Sequence, residues 1–266
     1  MGLTVQSTGI YAFLEELKQT PVKADAVIAL AGNPNTGKST VFNGLTGLNQ
    51  HTGNWPGKTV VLAKGNYQHK NKNMILVDLP GTYSLLANSV DEQVARDFIC
   101  FGNPDATVVV ADATCLERNL NLVLQVMEIT PKMILCVNLV DEAKRKQIEI
   151  DYSKLESIIG IPVIPTAARD KVGLNELKDS IHRAVFGKEN YQPKRLSYNE
   201  TIESAINEIQ GEVETLLQGR FNSRWVALRI LDGDRTIITE MKNYLKRIEP
   251  ENRKEIFGGK AVECYE

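Results

Sequence analysis

Along most of the chain, short apolar runs alternate with stretches that place apolar residues three and four positions apart. The runs at 26–31 (AVIALA), 59–67, 73–78, 106–112, 133–137 and 162–165 read as strands. The spaced stretches at 38–47, 91–100, 117–128, 151–159 and 174–186 read as helices. Most of the strand runs are unbroken Val, Ile and Leu, the pattern of strands buried on both faces. The expected fold class is therefore α/β, a mainly parallel sheet with helices on both faces. Ahead of it, Ile10, Phe13, Leu14 and Leu17 predict a short amphipathic helix over 8–20, ended by Pro21.

The pattern changes near residue 188. The stretch 187-GKENYQPKRLS is polar, contains Pro193 and reads as a linker. Beyond it everything is helical in pattern. Ser197 and Glu200 form a candidate capping box, and Ile202, Ile206, Ile209, Val213 and Leu216 make an apolar stripe that stops at Gly219. A second helix is expected with Ser223 as its cap, running through Val226 and Ile230 to Asp232-Gly233. A third, marked by Ile237, Ile238, Met241, Leu245 and Ile248, must end before Pro250. The expected organisation is an N-terminal helical extension over 1–24, an α/β domain over 25–187 and a small all-α domain over 188–266.

Composition narrows the class little. The net charge is -2, which supplies no electrostatic reason to expect DNA, RNA or an anionic membrane as partner. The four cysteines, Cys100, Cys115, Cys136 and Cys264, form no CxxC pair. Cys115 and Cys136 adjoin apolar runs, where cysteine behaves as a small core residue in a reduced compartment. His51, His69 and His182 are scattered, which argues against a histidine metal site. No run approaches the ~20 apolar residues of a membrane span, and neither a signal peptide nor a myristoylation motif is recognisable, so the chain as it stands is expected to be soluble.

The chemistry lies at strand ends. After AVIALA comes 32-GNPNTGKST-40, which fits the phosphate-loop pattern through Gly32, Gly37, Lys38 and Ser39. Glycines let the backbone wrap phosphates, with Asn33, Pro34, Asn35, Thr36 and Thr40 completing the loop. Lys38 is expected on the β- and γ-phosphates and Ser39 on magnesium. After MILV comes Asp78-Leu79-Pro80-Gly81: a carboxylate to hold magnesium through water and a glycine N–H for the γ-phosphate. After MILCV comes Asn138-Leu139-Val140-Asp141. A carboxylate at Asp141 accepts from both the ring N–H and the exocyclic amine of guanine, and disfavours adenine. Leu139 stands where GTPases usually carry Lys, which predicts looser binding. After PVIP, Thr166, Ala167 and Ala168 lie where GTPases offer backbone amides to the guanine oxygen. Between the first two motifs, 50-QHTGNWPGKTV-60 contains Thr59, the candidate to reach magnesium and sense the γ-phosphate, preceded by Gly57 and Lys58. His51 reads as an ordinary loop residue, whereas Trp55 is as compatible with a role in that loop as with packing.

Together GNPNTGKST, QHTGNWPGKTV, DLPGTYSLLANSVDEQVARDF, DATCLERNLNL and NLVDEA resemble the FeoB-type ferrous-iron transport proteins, over residues 27 to about 186. The resemblance implies a GTPase domain followed by a helical domain that stabilises the GDP-bound state, then a polytopic membrane domain of the same protein. Its partners are then guanine nucleotide (GTP and GDP, with magnesium) and that membrane domain; nucleic acid is not expected, and a homo-oligomer is left open. The implied location is the cytoplasmic face of the bacterial inner membrane.

The resemblance also bears on mechanism. Ras-like enzymes place a water-orienting Gln after D-x-x-G; Thr82 occupies that place, so hydrolysis is expected to be slow. Asn35 resembles the asparagine of potassium-stimulated GTPases, where the cation bridges phosphates, and implies potassium held by Asn35 and the backbone near Asn54–Gly57. Lys38, Thr59, Gly81 and Asn35 are thus the expected catalytic set. The family usually carries Val before the switch threonine and an acidic residue soon after it, where this chain reads Lys58, Thr59, Val60, Val61. The competing reading is a soluble GTPase of ribosome assembly or tRNA modification, which would favour a basic appendage; residues 199–266 carry more acidic than basic side chains. A non-hydrolysing nucleotide-binding module differs from the first reading only in turnover.

Overall fold

The computed structural model describes residues 13, 24–47, 50–55, 58–86, 88–187, 191–219 and 221–248. The chain divides between Leu196 and Ser197 into two compact units. In the first, the described strands form a seven-stranded sheet in the order β2-β3-β4-β1-β5-β6-β7. They are β1 (Ala26–Gly32), β2 (Gln50–Asn54), β3 (Val61–His69), β4 (Lys72–Asp78), β5 (Ala106–Asp112), β6 (Met133–Asn138) and β7 (Val163–Pro165). β1 pairs in parallel with β4 and β5, β6 with β5, and β7 with β6. Only β2 with β3 and β3 with β4 are antiparallel.

The unbroken apolar strands explain the layering. Ile28, Leu30, Val108, Val110, Ile134 and Cys136 pack on one face against Val41, Phe42 and Leu45 of α1 (Lys38–Thr46) and Leu174, Leu177 and Ile181 of α6 (Leu174–Phe186). Ala29, Val77, Val109 and Leu135, the residues of opposite parity, are equally buried; that face is the side of α2 (Val90–Phe101) and α3 (Leu116–Ile129). Each fully buried Val, Ile or Leu contributes about 1.5–3 kcal/mol relative to exposure, which is why the parallel centre needs no polar alternation. Two short helices complete the unit, α4 (Val140–Arg145) and α5 (Tyr152–Ile159).

Two elements depart from the sequence expectation. β2 was expected as loop, and β3 begins at Val61 rather than 59, so Thr59 lies in the hairpin loop. α4 is a short helix with Ala143 as its buried residue, too brief to show a period. Cys115 is exposed, not part of the core, because the chain leaves β5 and turns before α3 begins. The helix expected over 8–20 lies outside the described residues except for Phe13, which is fully buried.

The second unit contains α7 (Glu200–Leu217), α8 (Ser223–Leu231) and α9 (Arg235–Ile248). Asn199, not Ser197, caps α7, its Oδ1 accepting from the Ile202 N–H at 2.9 Å; Glu203, not Glu200, reaches back to the Tyr198 N–H at 2.9 Å. Asn222, one position ahead of Ser223, caps α8 by accepting from the Trp225 N–H at 3.2 Å. The stripe of α7 drifts as a 3.6-residue period requires: Ile206, Val213 and Leu217 are buried, and Leu216 is exposed. Arg224 donates to both oxygens of Glu203 at 2.7 and 2.8 Å, tying α8 to α7.

Candidate nucleotide site

The parallel register brings the carboxyl ends of β1, β4, β5, β6 and β7 to one edge of the sheet. Leu30 is opposite Asp78, Gly32 opposite Val110, Asp112 opposite Asn138, and Val137 opposite Pro165. Every motif therefore emerges at the same edge, the side where open α/β sheets bind ligands.

The loop after β1 turns sharply. Asn35 (φ 66) and Gly37 (φ 78) are left-handed, and the Thr36 hydroxyl donates to the Asn33 oxygen at 2.9 Å. Gly37 precedes α1, and no side chain caps that helix. Its first N–H groups are thus left for an anion, which the helix dipole favours. A Cβ on Gly37 would sit 2.4 Å from Asn138 Nδ2, and one on Gly32 would sit 2.6 Å from the Val110 oxygen; neither position accepts a larger residue. Ser39, Thr40 and Asn35 are exposed, Pro34 is half-buried, and Asn33 is buried with an Oδ1 that has no hydrogen-bond partner.

Asp78 closes the loop from β4. Its carboxylate receives the Lys38 ammonium, which also donates to the Leu79 oxygen at 2.6 Å. Burial raises the Asp78 carboxyl above its usual range, while the Lys38 charge pulls it down. Lys38 brings a cation and Asp78 a hard oxygen donor, the donor types that suit phosphate and magnesium. Gly81 lies against Pro34, with a Cβ there 3.4 Å from Pro34 Cα. Pro80 is half-buried, and Leu79 is buried. Thr82 is also buried, its N–H donating to the Gly32 oxygen at 3.2 Å and its hydroxyl engaged with Ser84. It fastens the loop and does not face solvent.

Asn138 carries a role the sequence did not disclose. Its Nδ2 donates to the Thr36 oxygen at 3.0 Å, and its Oδ1 accepts from Thr166 Oγ1 at 3.0 Å and the Ala168 N–H at 3.1 Å. One amide thus ties the phosphate loop to the segment after β7. The Thr166 N–H donates to Val137 and that of Ala167 to Val172. In this structure all three amides bond within the protein, to Val137, Val172 and Asn138. Leu139 is left-handed (φ 64), and its Cδ2 lies 3.8 Å from where a Cβ of Gly37 would be. Asp141, in the first turn of α4, is half-buried and accepts from Arg145 at 3.0 Å.

The loop that carries Thr59 is a hairpin tip. Asn54 is opposite Val61, and the Trp55 N–H donates to the Val60 oxygen at 2.7 Å. Since Ala63 pairs with Asp78, the tip overhangs the same sheet edge. Thr59 is exposed. Trp55 is only 3% exposed and stacks on Phe13, so it packs. The Lys58 side chain reaches Gln93 and Asp97 on α2 rather than the phosphate loop. Gly57 is outside the described residues, and so is the side chain of His51.

Elsewhere, His69 and His182 come together although separated in sequence, with ring centroids 6.1 Å apart and Asp179 2.9 Å from His69. Among the described residues no group of His, Cys, Asp and Glu is arranged to hold a metal ion by itself. A cavity of about 440 Å³ lies between α1, β3 and β4, bounded by Gly44, Tyr67, Asn73 and Lys178. None of its lining residues belongs to the motifs at the sheet edge, so it is separate from this site.

An uncapped helix behind a glycine loop, with Asp78 and Asn138–Asp141 on the same edge, defines a P-loop nucleotide-binding α/β domain. Two family profiles match the chain: ferrous iron transport protein B over residues 26–181 and the FeoB cytosolic helical domain over 198–257. The chain belongs to the FeoB family. It is 43% identical over 216 residues to the Fe(2+) transporter FeoB of Methanocaldococcus jannaschii, covering 81% of this chain and 32% of that protein. With the Salmonella typhimurium Fe(2+) transporter FeoB it shares 39% over 215 residues, 78% of this chain and 27% of that one. The chain therefore spans about a third or less of the curated relatives it matches. Among solved structures, the cytosolic domain of the T. maritima FeoB iron transporter in a GDP form aligns with TM-score 0.74 at 38% identity, covering 85% of this chain and 87% of that one. Its GMPPNP form aligns with TM-score 0.73 at 39% identity, covering 82% and 86%. These matches do not favour the ribosome-assembly alternative. No described helix is long and apolar enough to cross a membrane.

Proposed function

We propose that this chain is the guanine-nucleotide-binding, GTP-hydrolysing part of a ferrous-iron transporter, acting at the cytoplasmic face of a bacterial inner membrane on a membrane domain of the same protein. The observation that carries the reading is the uncapped N-terminus of α1 behind Gly32–Gly37, with Lys38, Asp78 and Asn138 converging on it. Relatives solved with GDP and GMPPNP support it.

Gly32 to Thr40 cradle the phosphates, and Lys38 moves from Asp78 to the β- and γ-phosphates when they arrive. Ser39, Thr59 and Asp78 would hold magnesium, which when bound offsets the phosphate charge. Gly81 offers its N–H to the γ-phosphate, and Asp141 selects guanine. Asn138, Leu139 and Thr166–Ala168 shape the base pocket, Asn138 by holding its two walls together. With Thr82 buried, its side chain is not placed to orient water, and turnover is slow. Asn35, exposed and left-handed at the loop's mouth, would hold potassium, which would supply additional positive charge to offset the phosphates. The domains are an extension over 1–24, the nucleotide domain over 25–187 and, over 188–266, a helical regulatory domain that stabilises the GDP state.

The test is GTP turnover by this chain in potassium and in sodium buffers, beside Asn35→Ala. Potassium stimulation lost in the variant supports the full reading. Equal turnover in both salts removes potassium from the account, and no turnover in either removes the hydrolytic role.

A further inference from the structure

Lys58 stands immediately before Thr59, and its side chain is committed elsewhere. Its ammonium lies 3.6 Å from Asp97 Oδ2 and 3.3 Å from Gln93 Oε1, both on α2, the helix that follows Asp78–Gly81. The Lys58 and Asp97 side chains are 17% and 9% exposed, so the contact is better shielded than a surface ion pair. Asp97 is fixed from the other side: its Oδ1 accepts from Arg96 at 2.8 Å, and Arg96 is 1% exposed. Of the two, Lys58 is the partner on a loop. Beside it, Trp55 stacks on Phe13 at 5.7 Å, and Phe13 meets the edge of Phe98 on α2 at 5.9 Å. The hairpin is thus linked to α2 by the Lys58–Asp97 ion pair and, through Phe13, by the contacts of Trp55 and Phe98, with Thr59 left exposed.

We propose that Lys58 and Asp97 are a positioning pair that braces the Thr59 loop on α2 and sets how the site discriminates a nucleoside triphosphate from a diphosphate. The inference rests on the guanine-nucleotide reading above. A diphosphate makes no demand on Thr59. A triphosphate with magnesium draws the Thr59 hydroxyl out of solvent, and the one-residue tether passes that displacement to Lys58. A contact strained in only one of two ligand states shifts their relative affinity by its own free energy. A partly shielded pair of this kind corresponds to about a two- to fivefold change in affinity ratio.

The experiment is equilibrium binding of GDP and of a non-hydrolysable GTP analogue, each with magnesium, to the wild-type chain, Lys58→Met, Lys58→Arg and Asp97→Asn. The triphosphate-to-diphosphate affinity ratio rises about two- to fivefold in Lys58→Met and in Asp97→Asn, while Lys58→Arg keeps the wild-type ratio. Loss of generic loop order would weaken both nucleotides and leave the ratio alone, which overturns the proposal. A second readout uses the chain's two tryptophans: in a Trp225→Phe background, Trp55 becomes quenchable by acrylamide with the triphosphate analogue and stays protected with GDP. Equal protection in both states overturns the brace. Failure of the wild-type chain to bind either nucleotide removes the underlying reading instead, a result distinct from an unchanged ratio.

Discussion

The amide of Asn138 donates to the backbone oxygen of Thr36 at 3.0 Å, across 102 positions of sequence. Its oxygen simultaneously accepts from Thr166 and Ala168. Asn138 is 1% exposed, so these bonds have no water to replace them. Removing one buried partner costs more than the net value of the bond, because the groups left behind stay desolvated. Asn138→Ala is expected to lower unfolding free energy by about 1–3 kcal/mol and to weaken nucleotide binding, because the phosphate loop loses its tether. Urea unfolding beside GDP titration checks this; unaltered stability and affinity would deny the tether.

Gly37 meets the same amide from the other side. Alanine there would need a left-handed backbone, costing about 1–2 kcal/mol, and would place Cβ 2.4 Å from Asn138 Nδ2. Gly37→Ala is expected to cut GDP affinity by about five- to thirtyfold, the equivalent of that backbone cost. Calorimetric titration decides it, and wild-type affinity would mean that the loop is not held as described.

Asp141 tests base selection. Asp141→Asn replaces one of two acceptors by a donor and is expected to weaken GDP by about 1–3 kcal/mol. A xanthine nucleotide, which carries a carbonyl where guanine has its amine, should bind the variant better than GDP does. If guanine preference survives the substitution, Asp141 does not read the base.

A pH effect is expected away from the site. Hydrogen bonds from Lys70 and then His69 hold the Asp179 carboxyl down at about 2, against about 3.9 in an unfolded chain. A depressed folded value means stability present above the unfolded pKa and lost as pH falls through the folded one. Denaturation midpoints between about pH 2 and 5 should therefore decline more steeply for wild type than for Asp179→Asn; parallel curves would show that the contact contributes nothing.

The parts of this fold legible in the sequence were those whose cause is local. Val, Ile and Leu runs in β1, β5 and β6 declare strands buried on both faces, and the glycines of 32–37 declare a phosphate loop. β2 was hidden because QHTGN pairs through its backbone at the sheet edge and has no apolar alternation to reveal it. α4 was hidden because six residues with Ala143 as the buried one carry no period. Asn199 and Asn222 displaced the serines as caps because several cap-competent residues lie within one turn, and the register of the buried side chains decides among them. The site motifs were legible by position, but their division of labour was not. The long-range bonds of Asn138, the burial of Thr82 and the reach of Lys58 to Asp97 all join residues whose proximity only the folded sheet creates.

The central claim is a guanine-nucleotide site, and direct titration of the purified chain with GDP, GTP and ATP in magnesium tests it most plainly. The account predicts saturable one-to-one binding of GDP and GTP, lost in Lys38→Ala, and no comparable binding of ATP. Equal binding of ATP, or no binding of either guanine nucleotide, would contradict it.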